Sequence, residues 1–74
     1  MQPRFVQIKA ALIQQIEQGA LSPGDQIGSE NQLAERFSVS RMTARRAVSE
    51  LVDEGILART QGVGTFVSDN RPMS

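Results

Sequence analysis

Apolar residues recur at three- and four-residue steps from Arg4 onward: Phe5, Ile8, Leu12 and Ile16, with Val6 and Ile13 widening one side. That spacing predicts an amphipathic helix with one buried stripe. Pro3 suits its first turn, and Gly19 its end, where a left-handed residue closes a helix. Leu21 then leads into Ser22-Pro23-Gly24-Asp25, a reversal in which Pro presets φ and Gly accepts a positive one. Gln26-Ile27 is expected to be a very short strand. Ser29-Glu30-Asn31-Gln32 fits a capping box that starts a short helix to about residue 37, with Leu33, Ala34 and Phe37 inward. After the tight connection Ser38-Val39, Ser40 caps a third helix from Arg41 to about residue 54, and Gly55 ends it. On that helix Ala44, Ala47, Val48, Leu51 and Val52 share one face, and Met42, Arg45, Arg46, Ser49 and Asp53 point the other way. Two β-rich runs, 56–60 and 65–68, flank the glycine-bearing Gln61-Gly62-Val63-Gly64 and predict a hairpin.

The expected fold is therefore mostly α with a small β-hairpin: three helices plus a two- to three-stranded wing. Two helices joined by so short a turn read as a helix-turn-helix. One domain is expected over residues 1–68, with 69–74 a polar tail or the start of a linker. At 74 residues the chain has room for one unit only, and a domain this small has little interior for a deep catalytic cleft.

Composition narrows the chemistry. The chain has no Cys, His, Trp or Tyr, which removes disulfides, thiolate and imidazole metal ligands and the commonest general bases. An enzyme is disfavoured, no cofactor is expected, and a hydrolase built on carboxylates such as Glu30 and Glu35 has no supporting pair. No apolar run approaches a membrane span and no leader pattern is present, so a soluble cytoplasmic protein is expected. Formal net charge is zero, which taken alone argues against a polyanion partner. The distribution argues otherwise: Arg36, Arg41, Arg45 and Arg46 fall within an acid-free run, and Glu50, Asp53 and Glu54 follow and cancel them.

Arg41 and Arg45 are like charges one turn apart, a destabilising pair in isolation. They also sit where the helix dipole is positive and a carboxylate would be favoured. A nucleic-acid phosphate resolves both conflicts, which suggests a recognition helix entering a major groove by its N-terminal end. Arg46 has Glu50 at i+4 and reads mainly as structural; Arg36 ends the preceding helix, where a cation suits the dipole, so structural and phosphate roles stand level. Ser40 and Thr43 are caps or phosphate donors, Ser40 first of all a cap. Met42 either packs on the preceding helix or meets a thymine methyl. The glycine-rich tip lacks the following helix and lysine of a nucleotide loop; as a wing it lets Gly62 approach a sugar-phosphate backbone, flanked by Gln61 and by Arg59, the latter with phosphate contact and solvent exposure equally open. The alternative of another class is a protein-interaction module whose basic face docks an acidic partner.

Five stretches carry a resemblance: Phe5-x-x-Ile8, Leu21-x-Pro23-Gly24-Asp25, Ser29-Glu30-x-x-Leu33-Ala34, Val39-Ser40-Arg41-x-Thr43 and Gln61-Gly62-x-Gly64-Thr65-Phe66-Val67. Together, over residues 3–67, they resemble the winged helix-turn-helix domain of the GntR family of bacterial transcriptional regulators. The combination Ser40-Arg41-Met42-Thr43 with Gln61-Gly62-Val63-Gly64-Thr65-Phe66-Val67 looks most like its HutC subgroup, which includes histidine-utilisation repressors. The resemblance implies DNA contacts at Glu30 and Asn31, at Ser40, Arg41, Thr43 and Arg45, and at Gln61 and Gly62. Gly28 stands where the family usually has Pro, which is expected to loosen the lead-in to the second helix, and Asn31 stands where many members have Arg. The resemblance also implies double-stranded, near-palindromic operator DNA as partner and a homodimeric full-length protein, the chain alone being monomeric. A small-molecule effector is expected only on a further C-terminal domain that this chain lacks.

Overall fold

The structure, a computed structural model, describes residues 3–68; the tail expected at 69–74 lies outside them. The described residues form three helices, α1 (Arg4–Glu17), α2 (Glu30–Phe37) and α3 (Arg41–Asp53), followed by strands β1 (Leu57–Thr60) and β2 (Gly64–Val67).

Each helix begins and ends where local chemistry directs. Pro3 precedes α1 and its carbonyl accepts from the Val6 amide. At α2 the box is complete: the Gln32 amide donates to Ser29 Oγ at 3.1 Å, and the Ser29 amide donates to Gln32 Oε1 at 2.9 Å. Gly28 does not loosen this lead-in. Its φ of +102° is closed to Pro, and a Cβ there would meet Gln32 Oε1 at 2.9 Å, so Gly is what allows the box to close. Ser40 caps α3 through the Thr43 amide at 3.2 Å.

The tight connection expected after α2 holds a left-handed residue. Ser38 has φ 57° and ψ 48°; its amide donates to the Glu35 carbonyl and that of Val39 to the Ala34 carbonyl. This is the closing pattern usually given to glycine. α3 closes the same way with glycine: Gly55 donates to Val52 and Ile56 to Leu51.

α1 and α2 both pack on α3, whose inner face of Ala44, Ala47, Val48 and Leu51 is fully buried. Ile8 and Leu12 of α1, Leu33 and Ala34 of α2, Ile27, and Leu57 and Val67 of the hairpin complete the core. Phe37 and Val52, expected inward, lie half-buried at its edge.

β1 and β2 pair antiparallel with Leu57 opposite Val67 and Thr60 opposite Gly64. The short strand expected at Gln26-Ile27 reduces to a single bridge, Gln26 to Phe66. Backbone bonds from Gly24 to the Val67 carbonyl, Val67 to the Asp25 carbonyl and Ile27 to the Thr65 carbonyl still lay this segment along β2. The Gln26 side-chain Nε2 also donates to the Val63 carbonyl at 3.1 Å, holding the hairpin tip. A Cβ on Gly64 would collide with that amide, so glycine there makes room for the brace.

Candidate nucleic-acid interface

α2 and α3 meet at the Ser38-Val39 turn, so their N-terminal turns frame a shallow cleft of about 330 Å³ lined by Ser29, Glu30, Asn31, Arg41, Met42 and Arg45. Arg41 Nη1 donates to Asn31 Oδ1 at 3.3 Å. That contact joins residues ten apart and directs one guanidinium while leaving its charge uncancelled. Arg45, one turn further on, is exposed and has no carboxylate partner among the described residues. Ser40 Oγ and Thr43 Oγ1 lie 3.0 Å apart, so both hydroxyls are engaged in the cap. Met42 is 81% exposed. The option of packing on the preceding helix is therefore not realised, because its side chain leaves α3 on the cleft side and away from the core.

Arg46 lies on the other flank. Its guanidinium carbon stands 4.1 Å from the centroid of the Phe5 ring, a cation–π contact, and Nε is 3.4 Å from Glu50 Oε2. Both contacts tie α3 to its own fold, as the i+4 spacing suggested for Glu50. Phe5 as a partner had no signal in the sequence. Arg36 is exposed in the last turn of α2, lines neither cleft, and makes no ion pair among the described residues.

The wing supplies a second groove, about 490 Å³, whose walls include Glu30 on one side and Arg59, Gln61 and Gly62 on the other. Gln61, Gly62 and Val63 are exposed at the tip, Gly62 with φ +80°. Arg59 does not stand free as a phosphate ligand: its Nη2 is 3.3 Å from Glu30 Oε2. Three further contacts lay beyond sequence reasoning. Gln26 braces the wing tip, and Lys9 of α1 reaches two carboxylates of α3, Glu50 Oε1 at 2.9 Å and Glu54 Oε2 at 2.6 Å. The acids that cancel the arginine run in the charge sum are thus partly bound to Lys9, at the opposite end of α3 from Arg41. Hydrogen bonds to Glu54 and then Glu50 raise the Lys9 pKa against the opposing effect of burial. The bond from Lys9 lowers that of Glu50, with Arg46 adding to it against partial desolvation.

No helix among the described residues is long and apolar enough to cross a membrane. The chain is 46% identical over 72 residues to a histidine utilization repressor of Klebsiella aerogenes, an alignment covering 97% of this chain and 30% of the relative. It is 50% identical over 66 residues to the transcriptional repressor NagR of Bacillus subtilis (strain 168), covering 89% of this chain and 27% of NagR. The chain thus spans about 30% of the length of the curated relatives it matches. Its fold superposes on the crystal structure of AraR(DBD) in complex with an operator with a TM-score of 0.88 at 43% identity, over 92% of this chain and 82% of that one. The family description "Bacterial regulatory proteins, gntR family" matches residues 5–67. Nearly the whole described fold falls within that match, and the chain belongs to the gntR family, with the winged-helix architecture of its repressors.

Proposed function

We propose that this chain is a sequence-reading DNA-binding domain of a bacterial transcriptional repressor, working in the cytoplasm. The observation that carries the reading is the pair Arg41 and Arg45: exposed, one turn apart, at the positive end of α3, and without a carboxylate on either. Such cations oppose both each other and the helix dipole, and a polyanion at the cleft removes the conflict. α3 enters the major groove by its first turns, with Arg45 and Met42 toward base edges and Arg41, directed by Asn31, toward a base or phosphate. The capped hydroxyls of Ser40 and Thr43 lie at the same end, within reach of the backbone. Gln61 and Gly62 bring the wing tip to the sugar-phosphate chain, where the absence of a side chain at 62 permits close approach. Arg46, Arg59 and Glu30 are engaged within the protein and are left out of this contact set.

The operator-bound AraR structure and the repressor relatives support the reading. In a regulator of those relatives' length, two copies of the domain would be presented by a homodimer to a near-palindromic operator, with release governed by a small-molecule effector on a further domain. The chain alone would hold one half-site, weakly and with steep salt dependence. Amide chemical-shift mapping with duplex oligonucleotides at low salt tests the assignment. Residues 40–45 and 61–62 should move; a titration that leaves α3's first turns unperturbed overturns it.

A further inference from the structure

Two arginines at the edges of the candidate interface are held by consecutive residues of α2's first turn, and the two holders differ in charge. Asn31 accepts from Arg41 through a neutral amide oxygen. Glu30 holds Arg59 of β1 through a carboxylate, across 29 residues of chain. The first arrangement directs a guanidinium and leaves it cationic; the second directs one and cancels it. Both partners of the second pair line the groove between α2 and the wing, beside Gln61 and Gly62. A phosphate backbone lying in that groove meets no net charge from this pair, although Arg59 is placed to supply one.

We propose that Glu30 limits sequence-independent affinity by withholding Arg59 from the DNA backbone. The inference rests on the DNA-binding reading above. Non-specific affinity comes almost wholly from phosphate neutralisation, whereas operator affinity adds base contacts. A carboxylate that silences one phosphate ligand therefore takes the same contact from both kinds of complex, lowering sequence-independent affinity and its dependence on salt. The latch is of a strength suited to this. At 3.3 Å, with the side chains 39% and 36% exposed, it is a surface pair of modest strength that offsets the charge of Arg59 without locking the wing.

The test is a salt series of the 74-residue chain on a random-sequence duplex, read by fluorescence anisotropy, for the wild type, Glu30→Gln, Arg59→Gln and the double variant. Glu30→Gln keeps the side-chain shape and leaves the Ser29–Gln32 box intact. It should steepen the slope of log K against log salt by about 0.9, one added phosphate contact, and tighten binding roughly tenfold at about 50 mM salt. Adding Arg59→Gln should return the slope to the wild-type value, and Arg59→Gln alone, which leaves the Glu30 carboxylate facing the groove, should not steepen it. An unchanged or weakened Glu30→Gln, or a double variant that keeps the steeper slope, overturns the latch while leaving the DNA-binding reading in place. A wild-type chain that binds no duplex overturns the functional reading, and the latch with it.

Discussion

Replacing Arg45 and Arg46 separately by Ala distinguishes reading from holding, because adjacent residues of one helix are assigned opposite duties. Arg45 has no ion-pair partner among the described residues, and its neighbour at i−4, Arg41, is also a cation. Its loss breaks nothing in the folded chain and relieves a like-charge pair of about 0.2–0.5 kcal/mol. The melting temperature should stay level or rise slightly. Duplex binding should fall by about 1–3 kcal/mol if Arg45 meets a base, roughly 5- to 150-fold in Kd. Arg46 is the converse. Its removal ends the contact over the Phe5 ring at 4.1 Å, about 0.5–1 kcal/mol for an exposed cation–π pair, together with its bond to Glu50. For a domain of this size that is a fall of roughly 2–8 °C in Tm, with only the general loss of one positive charge in binding. Thermal melts by circular dichroism and anisotropy titrations at two salt concentrations read both axes. If Arg45→Ala binds as the wild type does, or if Arg46→Ala loses as much affinity as Arg45→Ala with an unchanged Tm, the division of labour derived from the geometry is wrong.

Two further predictions concern the frame behind the interface. The fold favours ionised Glu50, whose pKa is lowered from 4.5, so that contribution is complete above the unfolded value and is lost as pH falls through the lowered folded one. Lys9, raised from 10.5, contributes fully below that value, and its contribution is lost as pH rises through the raised one. Lys9→Met should therefore flatten both the acid and alkaline edges of a plot of Tm against pH; a curve parallel to the wild type would refute the α1–α3 clamp. Ser38→Gly should stabilise the chain by on the order of 0.5 kcal/mol, because relief of the left-handed strain exceeds the added unfolded-state freedom. Urea unfolding measures it, and a destabilised variant would mean that Ser38 is not left-handed in solution.

The amino-acid sequence by itself determined the helices, their caps and the basic first turns of α3, because each follows from relations within about four residues. The apolar spacing that builds α1, the Ser29–Gln32 box, the Ser40 cap and the Arg41–Arg45 pair all act along one element, where helical geometry places neighbours. The glycine tip of the wing was legible for the same reason. Only the tertiary structure decided which of the charged groups are free. Arg46 over Phe5, Lys9 between Glu50 and Glu54, Arg59 on Glu30, Arg41 on Asn31 and Gln26 under the wing tip each join different elements. Such pairings depend on the angles at which α1, α2 and the hairpin pack on α3. Those angles are set by the fit of Leu51, Val48 and Leu57 with their neighbours, and no one-dimensional spacing encodes them. The left-handed Ser38 belongs with these: a serine carries no local signal for that conformation, and it occurs where α2, with Leu33 and Ala34 buried, turns into α3.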